Sequence, residues 1–220
     1  MIPSNRIKAE YDRIAPFFSV GSALTFPFRR SLYERNVIPR LHLSRGASAL
    51  ELCCGVGHNF QYILDAIGPE GTLIGIDFSE KMLAKAQARV DRNGWKNVKL
   101  IWGDAMNLDE LIAQPLDLIL CSLALSLISD RMGVLQAIRN RLKSNGRLAV
   151  IEAQPFSGIA SLLNPVLYVS MLPVPSNNSA IFREASRTLE CIKQVFPHFE
   201  YSEHYWGFMY VVVTQTMAGS

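Results

Sequence analysis

A chain of 220 residues holds one domain with a substantial core and is too short for two of ordinary size. With 49% hydrophobic and 19% charged residues it is not a disordered segment, and a net charge of +3 gives no strongly basic body for nucleic acid. Four cysteines, Cys53, Cys54, Cys121 and Cys191, include an adjacent pair but no C-x-x-C spacing. They predict neither a zinc site nor a disulfide framework, but reduced thiols in a cytoplasmic protein.

The charge is unevenly spread. Residues 1–46 hold eight Lys/Arg against three Asp/Glu, a net of +5, and the remainder is −2. A basic leading segment suits either a solvated helix face or contact with an anionic surface such as phospholipid. Residues 1–10 carry charges at Arg6, Lys8 and Glu10 and no apolar run, which does not read as a secretory signal. Ser4 to Pro16 predicts a short helix stopped by proline, and Phe28 to Leu41 a second one. Between them the aromatic connector containing Phe17, Phe18, Phe26 and Phe28 reads equally as core or as a cleft wall. Together residues 1–46 form a helical leader expected to cover a ligand cleft.

From Ala47 the pattern alternates strand and helix, as a parallel sheet covered on both faces requires. Strands are expected at Ala49 to Cys53, Thr72 to Asp77, Val98 to Trp102, Leu116 to Cys121 and Arg147 to Ala153. All are short apolar runs without clean alternation, as in strands buried on both sides. Ser79 caps a helix ending near Gly94, and Leu135, Ile138 and Leu142 mark another, closed by Asn145-Gly146. Residues 153–182 carry no charged side chain. Prolines at 155, 165, 173 and 175 argue against a spanning helix, so about 154–182 reads as an apolar lid, or else as helices packed on the core or in an interface. A helix near Glu184 to Val195 and two closing runs, Glu200 to Tyr205 and Phe208 to Thr214, complete the chain, the pair suggesting a hairpin at the sheet edge.

The chemistry concentrates in Ala49 to Asn59, ALELCCGVGHN, and in Gly75-Ile76-Asp77. A strand, a turn with Gly55 and Gly57, and a helix are what open α/β sheets use to seat a nucleotide-like ligand, and a carboxylate ending the next strand suits ribose hydroxyls. A dinucleotide requires G-x-G-x-x-G, but Phe60 stands at the third glycine position.

The set E-x-x-x-G-x-G instead resembles the first motif of class I S-adenosylmethionine-dependent methyltransferases, with Cys53 where the first glycine is usual. Ile74 to Ser79 followed by Met82-Leu83, Gly103-Asp104-Ala105, and Leu142 to Leu148 are similar to the later motifs in order, covering about residues 49–152. The resemblance implies a single-domain Rossmann-like α/β fold over residues 47–220: a mostly parallel seven-stranded sheet, its last strand antiparallel, with helices on both faces. It also implies S-adenosylmethionine as cofactor. Glu51, Cys53, Gly55 and Gly57 would surround its methionine end, Asp77 the ribose, Phe78 and Met82 the adenine, and Asp104 with the Ala105 backbone the exocyclic amine. Tyr11 would close over the cofactor, and Ser122 to Ser126 would face the acceptor. Tyr11 to Phe17 resembles the leader of quinone-type and phospholipid-type enzymes. Ser122 to Asp130 is closer to the phospholipid N-methyltransferase branch, because quinone enzymes usually carry histidines near Ser126 and Leu127.

A sulfonium loses its charge as the methyl moves, so a dry pocket aligning acceptor, methyl and sulfur supplies much of the rate. An amine acceptor needs only a free lone pair; a phenol or carbon acid wants a base. Tyr11, His58 and Tyr168 are the weak catalytic candidates, with His204 and Tyr205 further ones. With no obvious base, the expected acceptor is an apolar or amphiphilic small molecule, an amine by preference and lipid-like as an option. Peripheral membrane contact is allowed; nucleic acid and a metal site are not expected. Aminocarboxypropyl transfer, cyclisation of the cofactor, and a non-catalytic binder remain as alternatives.

Overall fold

Seven strands run in the order β3-β2-β1-β4-β5-β7-β6 in the computed structural model, which describes residues 4–18, 22, 26–165 and 178–216. They are β1 (Ser48–Leu52), β2 (Thr72–Asp77), β3 (Val98–Trp102), β4 (Leu116–Ser122), β5 (Leu142–Ala153), β6 (Phe199–His204) and β7 (Met209–Gln215). The pairs from β3 through β5 are parallel; β7 runs antiparallel between β5 and β6. The closing hairpin therefore places β6, the earlier of its strands, at the edge.

The helices are α1 (Ser4–Ile14), α2 (29–41), α3 (Phe60–Ile67), α4 (Glu80–Asn93), α5 (Leu108–Leu111), α6 (Arg131–Arg141) and α7 (Asn178–Val195). Within α2, a wide turn at Tyr33–Val37 separates Arg29–Leu32 from Ile38–Leu41. Pro39 has no N–H to donate back into the preceding turn, and the helix widens ahead of it. α6 ends at Arg141 instead of running to Asn145-Gly146, because Leu142 pairs with Leu116 and the chain bulges before settling into register at Arg147.

Alternate residues of each buried strand feed two apolar layers. Ala49, Leu73, Leu118 and Ala149 pack with α2, α3 and α4; Leu50, Ile74, Ile119 and Val150 pack with α5, α6 and α7. Strand order reverses between β1 and β4, so the sheet opens a crevice beyond their carboxyl ends, where such folds seat ligands. Both strands leave the sheet there through left-handed residues, Cys53 at φ 56° and Leu123 at φ 57°.

The Phe60 ring lies in space that two glycines leave open. A Cβ on Gly75 would meet Phe60 Cζ at 2.8 Å, Leu100 Cδ2 at 2.9 Å and Cys54 Sγ at 3.0 Å. Gly75→Ala is expected to destabilise the fold by about 1–3 kcal/mol, the usual cost of overpacking, measured by urea unfolding.

Candidate cofactor and acceptor site

After β1 the backbone turns sharply. Cys54 N donates to Ile76 O at 2.9 Å, Gly57 N donates to Cys54 O at 3.0 Å, and Gly55 and Gly57 take φ 55° and 69°. Cys53 adopts the left-handed φ that glycine adopts without strain, which is how the turn keeps its shape with a side chain there. Asp77 ends β2 and joins the two loops: Oδ2 accepts Gly55 N at 2.8 Å, and Oδ1 accepts Ser79 N at 2.9 Å. Each oxygen keeps a second lone pair, enough for two ribose hydroxyls. Burial pushes Asp77 up to about 6 against those hydrogen bonds, with the Asp12 charge adding to the rise.

Glu51 Oε1 accepts Asn59 Nδ2 at 2.6 Å, and Asn59 Oδ1 accepts the Arg29 guanidinium at 2.7 Å. Glu51 Oε2 is buried and has no partner among the described residues, and neither have Tyr33 OH nor Ser122 Oγ. These three atoms converge. Glu51 pairs with Leu120, so Ser122 lies on the same face two residues further along β4; burial holds the Tyr33 hydroxyl well above its ordinary range, and the Glu51 charge adds to that rise. Burial drives the Glu51 carboxyl up to about 8, opposed by Asn59 and by Arg29. A buried acid with a free oxygen, beside two hydroxyls that can accept, is a seat for an ammonium group.

On the other side of Asp77, Ser79 caps α4 by accepting Met82 N at 3.1 Å and donates its Oγ to Asp12 of α1. Met82 is fully buried, with Ala15 and Val56, against Tyr11 and Phe18, so the leader helix packs on the start of α4 and on the glycine turn. Phe78 is half-buried and its carbonyl accepts Trp102 Nε1 at 3.0 Å. Asp104 Oδ1 accepts Met106 N at 3.0 Å, capping the short turn Ala105–Asn107 and leaving its other oxygen free of that role. Asp77, Phe78, Met82, Asp104 and Ala105 thus border one end of the crevice, and Glu51, Cys53, Gly55, Gly57 and Ser122 the middle.

The expected bases fare unevenly. His58 stacks on Phe18 at 6.1 Å, and burial, with the Arg29 and Arg89 charges, lowers it to about 3, which leaves it a very weak proton acceptor. The Tyr11 hydroxyl is raised by burial and then by the charges of Asp77, Cys53 and Glu152, and its ring packs against Val56 and Met82. His204 shares a 2.9 Å hydrogen bond with Ser202 on edge strand β6, and Tyr205 stacks on Phe28 at 4.5 Å. Tyr168 and the central part of the expected lid, 166–177, lie outside the described residues.

The site residues that sequence reasoning missed are Tyr33, Asn59, Arg29 and above all Glu152. Glu152 ends β5 as Glu51 ends β1, accepting Ser126 N at 2.9 Å and Ser126 Oγ at 3.1 Å. A carboxylate ending an apolar run, Leu148 to Glu152, was the available signal. Glu51, Asp77 and Glu152 are 2%, 5% and 1% exposed, so all three are enclosed to the same degree.

With that geometry in place, the comparisons are direct. A family model described as methyltransferase domain matches residues 43–199, and the chain belongs to that family. A demethylmenaquinone methyltransferase of Geobacillus stearothermophilus is 34% identical over 151 residues, 68% of this chain and 61% of the relative. Another, of Lactobacillus johnsonii, is 29% identical over 73% of this chain and 66% of its own length. The match to the first of these thus spans about three-fifths of that relative's length. A methyltransferase of Aquifex aeolicus aligns at a TM-score of 0.63 with 17% identity, over 84% of this chain and 89% of that one. The [4+2]-cyclase SpnF aligns at 0.59 with 16% identity, over 83% and 81%.

Burial raises Glu51 to about 8, Glu152 to about 7 and Asp77 to about 6, from ordinary values of 4.5, 4.5 and 3.8. Between those limits the folded state binds more protons than the unfolded one, so the stabilisation is full below about pH 4 and is lost as pH rises to about 8. Urea unfolding without cofactor should show stability falling from pH 5.5 to 8.5, with Glu51→Gln flattening the upper part of the slope. A flat profile in the parent protein counts against these buried acids.

Proposed function

We propose that this chain transfers a methyl group from S-adenosylmethionine to a lipophilic, hydroxyl-bearing aromatic acceptor of the quinol type. The observation that carries the cofactor half is the convergence of unpartnered Glu51 Oε2, Tyr33 OH and Ser122 Oγ beside the glycine turn. These suit the ammonium of the amino acid end; the spare lone pairs of Asp77 suit the ribose hydroxyls, and Asp104 with the Ala105 backbone suits the adenine amine. When bound, the cofactor supplies an electrophilic methyl on a charged sulfur. The protein's share is to orient it, exclude water beneath α1, and hold the acceptor over the ends of β4 and β5.

The acceptor half rests on the demethylmenaquinone methyltransferase relatives and on Glu152. One ground for an amine acceptor is the lack of an evident base, beside the resemblance of Ser122 to Asp130 to the phospholipid N-methyltransferase branch; a buried carboxyl near neutrality beside the acceptor-facing turn removes the first of these. Around the mouth, Phe28, Ile159, Leu162 and Trp206 are exposed, with Phe28 stacked on Tyr205 and Ser157 N bonded to Trp206 O. With the basic leader, this rim suits peripheral contact with a lipid surface from which such an acceptor would be drawn. Among the described residues, no helix is long and apolar enough to cross a membrane.

The test is incubation with methyl-labelled cofactor and a reduced quinone extract, reading nucleoside product and label together. Label in the quinol with S-adenosylhomocysteine is expected; methylthioadenosine would indicate aminocarboxypropyl transfer or cyclisation, and binding without turnover a non-catalytic role. Asp77→Ala should weaken cofactor binding in calorimetry by about 10–100-fold, from hydrogen bonds to a charged group. Unchanged affinity would displace the ribose from Asp77.

A further inference from the structure

Glu152 is held in an unusual way for a group with only a structural task. It lies on the face of β5 shared with Val150, directly opposite Tyr210 of β7, and both its oxygens are bound by one residue, Ser126. Ser126 belongs to the turn that follows β4. That turn is fixed from behind by Arg131, which donates to Ser126 O at 2.8 Å and pairs with Glu184 of α7. Arg131 is itself buried, and its Nε has no partner among the described residues. Each Glu152 oxygen retains a lone pair, and an unsatisfied cationic N–H stands in the same group. This is an arrangement with room for one more hydrogen-bonding species.

Its place in the sheet sets what that species is. Asp77 and Glu152 end β2 and β5, which are separated by β1 and β4, a distance of about 14 Å at the usual strand spacing. After burial, the charges of Asp77, Cys53 and Glu152 all act on the Tyr11 hydroxyl, so this side chain of α1 is near the ends of β2, β1 and β5. With the ribose at Asp77 and the amino acid end over β1, the ends of β4 and β5 are left for the acceptor.

We propose that Glu152 is the general base of the reaction, accepting the proton of the acceptor's hydroxyl while Ser126 holds the carboxylate and Arg131 balances the charge. This rests on the quinol reading above. The O–H bond breaks and its proton goes to Glu152. The electron pair released forms the new bond to the methyl, and the methyl–sulfur pair stays on sulfur, which becomes a neutral thioether. Where the new bond is to a ring carbon, that carbon sheds its own proton to restore the ring and the oxygen is reprotonated. One proton leaves overall in either case.

The groups facing Glu152 are Tyr11 of α1, Cys121 of β4, Arg131 of α6 and Tyr210 of β7. Burial raises Glu152 to about 7, while Ser126 and Arg131 act to lower it, so it is poised between base and acid near neutral pH. Neither Cys121 nor Tyr210 competes for the role: the Cys53 contact and then burial hold the Cys121 thiol, and burial with the Glu152 charge holds the Tyr210 hydroxyl, well above that range.

The test uses the full chain saturated with S-adenosylhomocysteine and titrated with 4-methoxy-1-naphthol at pH 6.5, in two buffers of different ionisation heat. A hydroxyl donor favours the ionised carboxylate, so binding to the parent protein should release a proton, and Glu152→Gln should abolish that release. With the loaded cofactor, Glu152→Gln should lower naphthol turnover by about 10²-fold or more with cofactor affinity unchanged, and remove the acid limb near pH 7. Ser126→Ala keeps the carboxyl but loses one donor, and should move that limb to higher pH; it serves if Glu152→Gln fails to fold. Proton release and turnover retained in Glu152→Gln, or a limb unmoved in Ser126→Ala, overturns the base alone. A parent protein that methylates amines and no hydroxyl compound overturns the quinol reading and the base together.

Discussion

One carboxylate organises the ligand end of this molecule. Asp77 takes the Gly55 N–H with one oxygen and the Ser79 N–H with the other, so the turn after β1 and the start of α4 are set against each other by a single side chain. Charge-assisted bonds to backbone donors are strong and directional, which is why the flanking geometry follows. Gly55 and Gly57 sit left-handed to present the loop to Asp77, and Ser79 is held where its hydroxyl caps α4 and binds Asp12. Through Asp12, the leader helix is tied to the same point. The position of α1 against α4 and the glycine turn follows from a chain of contacts that begins at β2.

Around that point the protein buries two further acids whose oxygens no protein cation fully satisfies. An enclosed carboxyl is costly unless it is neutral or paired, and here the pairing is supplied in part by Asn59, Ser126 and the second-row arginines Arg29 and Arg131. The remaining capacity is what makes the site receptive. Glu51, Tyr33 and Ser122 hold unspent acceptors for a cation, while Glu152 with Arg131 holds both an acceptor and a donor for a hydroxyl. The two arginines have parallel roles on opposite faces of the sheet: each stabilises an intermediary that in turn holds a glutamate. Left-handed Cys53 and Leu123 mark where β1 and β4 turn out of the sheet into this space, local strain placed where the ligands are handled.

The amino-acid sequence by itself determined the sheet and most of its helices. Thr72–Asp77 and Val98–Trp102 fall where their apolar runs begin and end, and Ser79 and Gly94 bound α4 as cap chemistry requires. Glu51, Gly55, Gly57 and Asp77 were legible for the same reason: strand ends, turns and caps are local, and the chain within about ten residues of each of them dictates the backbone. The extension of β5 back to Leu142 and the interior position of β7 were not local, since each depends on which strand arrives alongside. Tertiary structure alone decided that Tyr33 of α2 meets Glu51 and Ser122, that Arg29 reaches Asn59 thirty residues on, and that Ser126 closes on Glu152. It also decided the standing of one candidate and of one residue the sequence did not single out, making His58 too weak a base and Glu152 a neutral-range acid, because proton affinity is set by burial and by charges that only folding brings near.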